Sequence, residues 1–484
     1  MKRKHLAQIV LATTFTGLVV GRMETAAQVA GAPANATPAA AAAPSPAPPP
    51  LATDPGVRTG GSAGTVGGPL TNLTPAQLEL YNASKLAFMS AEDVGDGLGP
   101  RMNLDSCVGC HMQPAPGGSS PWLNPQIAFA TSDGKTNAVP SFLSANGPVR
   151  EARFVQNPDG TPDGGVHALF TITGASGASG CSLTQPDFAS ALASHNVVFR
   201  IPTPIFGGGL IEQIPDAAIL ANRASNAATK QALGIGGRPN IVLAGGAISG
   251  QANFNGNDGT AARFGWKAQN KSLLLFSGEA YNVEMGITNE LFPTERDETP
   301  DCQFATTPND VTNPEATTLA GMLADVEKFA TFMRFLAPPT PSSTFPGGTA
   351  SIARGSSLFG AIGCALCHTP TLMTGSSTIA ALDHQPVNLY SDLLIHNMGA
   401  GLADGVSQGQ AGPQEFRTAP LWGLGQRIFF LHDGRTSDLL VAIQQHQSGN
   451  GRSPSASEAN AVVSNFNRLS EPAKQDLLNF LRSL

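Results

Sequence analysis

A mainly α fold in two unequal repeats, the first enlarged by loop-rich insertions, is what the sequence predicts. Three observations carry this. The pentad Cys-x-x-Cys-His occurs twice, at 107–111 and 364–368, each time after a segment of helical spacing. Each pentad is followed in the same order by Phe-Arg, a proline and an aromatic-Gly pair. These are Phe199-Arg200, Pro204 and Phe206-Gly207, then Phe416-Arg417, Pro420 and Trp422-Gly423, with a one-residue slip. A shared order of this kind is the mark of a duplicated unit, and the longer first interval implies an insertion of roughly forty residues. Finally, 54 Gly and 38 Pro in 484 residues exceed the average share of ~12%, so the connections should be long.

The elements follow in order. Residues 1–27 read as a signal peptide: basic Lys2, Arg3 and Lys4, a mostly apolar stretch from Leu6 to Gly21, and small residues Thr25-Ala26-Ala27 for cleavage. The alternative is an uncleaved anchor. Export would place the chain in the periplasm or outside the cell. Residues 28–70 are almost wholly Ala, Pro, Gly, Ser and Thr, too poor in apolar surface to offset ordering entropy, and read as a disordered tether. The N-terminal unit, 71–337, opens with a helix. Thr74, Pro75 and Gln77 make a capping box with proline in the first turn, and the helix should run to about Ala91. A second helical stretch, Leu319–Leu336, closes the unit. Residues 338–349, starting Pro338-Pro339-Thr340-Pro341, form a linker. The C-terminal unit, 350–484, has a helix over Ile352–Ile362. It ends in one capped by Ser470, with Glu471 and Pro472 in its first turn and Leu477, Leu478, Leu481 and Leu484 on one face.

Charge excludes some partners. With 28 Lys+Arg against 35 Asp+Glu, a net −7, and no basic cluster past the N-terminus, nucleic acid is not expected. No later segment approaches the ~20 apolar residues of a membrane span, so no integral membrane domain is expected. No P-loop, dinucleotide fingerprint or serine-hydrolase motif appears.

The pentads carry the chemistry. Two thiols spaced Cys-x-x-Cys can add to the two vinyl groups of one porphyrin, and the next residue's imidazole reaches the iron. Cys107, Cys110 and His111, then Cys364, Cys367 and His368, are therefore expected to hold two covalently bound haem c groups in two cytochrome c-like haem domains. A zinc site would need further Cys/His pairs, which are missing. Cys181 and Cys302 remain, either as one disulfide in an oxidising compartment or as two buried thiols. Arg200 and Arg417 can fork onto haem propionates or onto protein carboxylates. His432, Asp433 and Arg435 read as a structural turn.

The sequence resembles the bacterial di-haem cytochrome c peroxidase superfamily, which includes the methylamine-utilisation di-haem enzyme, and within it the di-haem oxidoreductase branch. The likeness spans about residues 74–484. It rests on Gly97-Leu98-Gly99-Pro100-Arg101, Phe206 to Glu212 with Ile214-Pro215-Asp216, Arg263-Phe264-Gly265-Trp266-Lys267 and Glu284-Met285-Gly286-Ile287-Thr288. It continues in Leu431-His432-Asp433-Gly434-Arg435 and Ala442-Ile443-Gln444-Gln445-His446. The resemblance implies that His446 is the distal ligand of the C-terminal haem, with His396 or Met398 as alternatives. It implies that Trp266 relays electrons between the haems. Glu284 would stand in the distal pocket of the N-terminal haem, with His167 a weaker alternative. Relatives usually carry glutamine ten residues after the tryptophan; here Phe276 stands there and cannot donate a hydrogen bond.

The expected function is an exported, peroxidase-like oxidoreductase with a reactive N-terminal haem and an electron-transfer C-terminal haem. A small redox protein or quinol-linked donor would supply electrons, and peroxide or dioxygen would be reduced. A pure electron-transfer cytochrome, or an oxygenase of an apolar substrate like the related di-haem rubber oxygenases, are the alternatives. Calcium is known between the domains of the superfamily, but no ligand set in this sequence demonstrates a site.

Overall fold

The capping box at Thr74 forms as its residue types dictate. The Thr74 side chain accepts the Gln77 N–H, Gln77 returns the bond to the Thr74 backbone, and Pro75 opens the helix Pro75–Phe88. In this computed structural model, residues 50–58, 66–243, 247–248, 251–252, 257–295, 299–449 and 455–484 are described. The signal peptide and residues 28–49 and 59–65 of the tether lie outside them.

Three helices build the first core. Pro75–Phe88 and Leu273–Met285 both pack on Asp325–Phe335. Aromatic rings fill the seams: Phe88 and Phe332 are 4.8 Å apart and Tyr281 and Phe329 are 5.0 Å apart, within the range of favourable aromatic pairs. The stretch expected as one helix over Leu319–Leu336 is two, Leu319–Met322 and Asp325–Phe335, with Leu323 and Ala324 extended between them. The cause is a competing cap. The Asp310 carboxylate accepts the Asp325 and Val326 N–H groups at 2.7 and 3.0 Å, and Glu327 accepts that of Ala324 at 3.0 Å, so the second piece starts afresh.

The second core joins Gly348–Ala361 to Glu471–Ser483. Gly355 permits their approach, since a Cβ there would lie 2.0 Å from the Asp476 carbonyl oxygen. Ser470 sits at the N-cap but makes no side-chain cap bond. Glu471 instead accepts the Ala52 N–H at 2.8 Å. This contact belongs to a correction: residues 50–58 of the expected tether are placed against the second core. Thr53 exchanges bonds with Gln475, and Asp54 pairs with Arg482. Averaged composition hid the few residues with specific partners.

Between the helices the chain is looped and pinned by six small sheets of two or three strands among the described residues. Both Phe-Arg pairs end strands: Val197–Arg200 pairs with Glu151–Phe154, and Glu415–Arg417 with Ile395–Asn397. Both aromatic-Gly pairs place glycine at positive φ before a short helix, Gly207 at 65° and Gly423 at 73°. A Cβ on Gly207 would meet the Trp422 ring at 2.6 Å, so the two motifs also pack together. Cys181 and Cys302 form a disulfide.

Candidate haem sites

Two cavities carry the two pentads. In the first, the helical turn Cys107–Cys110 sets both cysteines on one side, with His111 at its C-cap. In the second, the 3₁₀ turn Cys364–Leu366 does the same for Cys364, Cys367 and His368. Burial pushes the Cys107 and Cys110 thiols well up and that of Cys364 up to about 12. Such thiols are neutral in the free chain. Among the described residues, no group of three or more His, Cys, Asp or Glu could hold a metal ion.

Three histidines share one hydrogen-bond logic. His111 Nδ1 meets the Gly118 carbonyl at 3.0 Å, His368 Nδ1 that of Tyr390 at 3.0 Å, and His446 Nδ1 that of Ala442 at 2.8 Å. A carbonyl only accepts, so each Nδ1 carries the proton, and in the neutral ring Nε2 keeps the lone pair. Burial keeps the rings neutral: it lowers His111 and His368 to about 4, the latter with help from His446, and lowers His446 too. A neutral imidazole oriented through Nδ1–H is the form that ligates iron. His446, the C-cap of the helix Leu439–Gln445, lines the same cavity as His368.

His396 lines that cavity as well, with both ring nitrogens engaged by carboxylates. Its Nε2 meets Asp392 at 3.0 Å and its Nδ1 meets Glu458 at 2.7 Å. The Cys367 sulfur lies 3.8 Å from the same Nδ1. Met398 remains on the wall.

The first cavity differs. Its wall among the described residues has one histidine, His111, together with Glu284 and Phe276. Burial, then the like charges of Glu151 and Glu279, raise the Glu284 carboxyl to about 8, so it is a neutral acid at pH 7. Phe276 stacks on Phe264 at 6.1 Å. His167, the weaker candidate, is absent from this wall: it pairs with Asp163 at 2.8 Å and stacks on Phe154 at 3.8 Å. Gln269, not singled out in the sequence, lines the cavity, and its buried Oε1 has no partner.

Among the described residues Trp266 is the one common to both walls. Its Nε1–H donates to the Ile201 carbonyl at 2.9 Å, and its ring meets His432 edge-on at 6.4 Å. His432 lines the second cavity, stacks on Phe416 at 4.3 Å and is lowered to about 4 by burial.

The arginines test whether a porphyrin fits. Arg200 is largely engaged by protein: its Nη groups donate to Asp404 at 2.7 Å and Gln408 at 2.6 Å, and only Nε, on the wall of the first cavity, lacks a partner. Arg417 gives Nε to the Gly265 carbonyl at 2.9 Å. Arg427, which no sequence pattern marked, stands with it on the second wall, its Nε unpartnered. Among the described residues no ion pair joins either guanidinium to a carboxylate. Burial and then a neighbouring arginine lower both to about 10: Arg427 for Arg417, Arg482 for Arg427. Two buried cations on a mostly apolar wall, neither paired with a carboxylate among the described residues, call for an anion. The propionates of a haem fit that demand.

A family model described as "Di-haem oxidoreductase, putative peroxidase" matches residues 151–484. No curated protein matches the chain. Among solved structures, hydrazine synthase of Kuenenia stuttgartiensis under xenon pressure is 17% identical. The match covers 34% of this chain and 56% of that one, with a TM-score of 0.21. A MauG-like protein associated with microbial copper homeostasis is 18% identical, over 36% of this chain and 58% of that one, with a TM-score of 0.23. The chain thus spans just over half the length of each.

Proposed function

The chain belongs to the family of di-haem oxidoreductases, and from that premise we propose that it is an exported, peroxidase-like enzyme with two haem c groups of unequal task. The carrying observation is the asymmetry of the two cavities: on the second, His368 and His446 each have the Nδ1 proton held by a backbone carbonyl, while on the first only His111 is so held and Glu284 faces it as a neutral carboxylic acid. When bound, each haem supplies an iron that exchanges single electrons and, where its sixth position is open, meets peroxide.

The chain's residues do the rest. Cys107 and Cys110, then Cys364 and Cys367, would fix the porphyrins as thioethers. His111 and His368 would hold iron through Nε2, oriented by their Nδ1–H bonds. His446 would complete the second site, which suits electron transfer. Arg417 and Arg427 would hold its propionates. Glu284 keeps a proton on its carboxyl at neutral pH and can give it to a peroxide oxygen. The Trp266 indole, held by Ile201, lies on the route between the two sites. We read 71–337 and 350–484 as the two haem c domains, joined by 338–349. A small redox protein or quinol-linked donor supplies electrons, and export to the periplasm agrees with the Cys181–Cys302 disulfide. One observation favours a second reading. Phe276, backed by the Phe264 ring, puts an apolar face on the first cavity, suited to dioxygen and an apolar substrate.

Electron paramagnetic resonance of the oxidised protein tests the proposal. One high-spin and one low-spin ferric haem are expected, and His446→Gly should convert the low-spin signal to high-spin. An oxidised protein with no high-spin fraction, whose half-reduced form binds neither peroxide nor carbon monoxide, would instead be an electron-transfer cytochrome.

A further inference from the structure

The segment 50–58 meets the second cavity from outside, behind the wall that carries His446. Its key residue is Asp54, whose side chain is 8% exposed and that of its partner Arg482 1%. The pair is bidentate, with Arg482 Nε and Nη2 at 2.7 and 2.6 Å from the two carboxylate oxygens. The same carboxylate accepts the Leu439 N–H at 2.7 Å and the Gly56 N–H at 2.9 Å. Burial works against its charge, but Arg482 and these N–H groups outweigh it and hold the carboxyl below its usual range.

Each partner leads to the cavity. Leu439 opens the helix Leu439–Gln445, which ends at His446. Asp438 caps the Leu440 and Val441 N–H groups, and Asp54 takes the one before them. Arg482 passes its Nη1 protons to the Arg427 and Leu424 carbonyls at 2.9 and 3.4 Å. Leu439, Ala442 and His446 line the cavity from one side, Leu424 and Arg427 from the other. A helix of seven residues is marginal by itself, so its direction depends on what holds its ends.

We propose that residues 50–58 form a strap whose Asp54 is a positioning residue for His446, holding the short ligand helix and the Arg427 loop in one register around the C-terminal haem. The proposal rests on the reading of His446 as the sixth ligand.

The test uses the full, haem-loaded chain with Asp54→Ala, Asp54→Asn and His446→Gly in parallel. The readouts are the low-spin signal and the rate at which carbon monoxide binds the reduced C-terminal haem. The N-terminal haem of the same molecule serves as the internal control. Losing a buried charge-assisted set should free His446 for about a tenfold faster rate in Asp54→Ala, ~1.4 kcal/mol. Asp54→Asn, which keeps an acceptor for Leu439, should fall between, and the N-terminal haem should not respond. Rates within about twofold of the parent in both Asp54 variants, beside an active His446→Gly, would overturn the strap alone. So would equal changes at both haems, the mark of general loosening. Should Asp54→Ala not fold, Asp54→Asn decides by the same criteria. A silent His446→Gly would remove the premise and the strap with it.

Discussion

At the scale of single residues, charge and its absence of partners say most. Glu284 is the clearest case, because burial and like charges hold its proton to about 8 against an ordinary 4.5. Glu284→Gln keeps the shape and removes the transferable proton. Haem content should be unchanged, while peroxide turnover falls by ~10²–10⁴-fold, the usual worth of a general acid–base group. Turnover of the parent should also decline as pH rises through about 8. Stability follows the same sign. Between 4.5 and about 8 the folded chain keeps a proton that the unfolded chain has released, so Glu284's contribution is full below that window and is lost across it. The melting temperature of Glu284→Gln should therefore gain on the parent as pH rises from 5 to 8, and a constant difference would count against a buried acid. Arg427 argues from the opposite sign. A cation beside the C-terminal haem favours its reduced form, so Arg427→Met should lower that haem's midpoint potential in a redox titration. Each ~1.4 kcal/mol of lost stabilisation is ~59 mV for one electron. An unchanged potential would mean that its counter-ion is not the haem.

At the scale of elements, close backbone approach decides between two rules of thumb. Alanine is a better helix former than glycine by up to ~1 kcal/mol, yet at Gly355 the new Cβ would sit 2.0 Å from the Asp476 carbonyl oxygen. Overpacking of this kind costs ~1–3 kcal/mol, so Gly355→Ala should destabilise the protein, read as a lower denaturation midpoint at unchanged slope. A stabilised variant would mean that the two helices can move apart. The same contrast explains what could be read from sequence. The helix starting at Pro75 was legible because Thr74, Pro75 and Gln77 settle it locally. The break at Leu323 was not, because its cause, Asp310, lies outside the stretch whose periodicity suggested one helix. The Phe-Arg and aromatic-Gly repeats were legible as an order of residues. That Gly207 serves the packing of Trp422 needed coordinates.

At the scale of the whole molecule, the pentads were legible because the proposed covalent attachment to a porphyrin demands their spacing. Arg427 and Asp54 were not, since the importance of each lies in what surrounds it in space: no paired carboxylate near one, three converging donor groups around the other. Trp266 lies between these cases. Family resemblance singled it out, but its contact with both cavities is a property of the folded chain. That placement yields a prediction about the molecule as a circuit. Trp266→Phe keeps an apolar ring but loses the bond from Nε1 to the Ile201 carbonyl and the more oxidisable indole. Both haems should load and keep their separate spectra, because no Trp266 atom is among the proposed iron ligands. What should change is their communication. After rapid one-electron reduction, equilibration between the haems should slow by at least ~tenfold, ~1.4 kcal/mol of barrier, and peroxide turnover should fall with it. If equilibration keeps the parent rate while turnover falls, Trp266 acts on the first cavity alone and electrons pass by another route. If both rates hold, the shared wall is packing and the two centres exchange electrons without it.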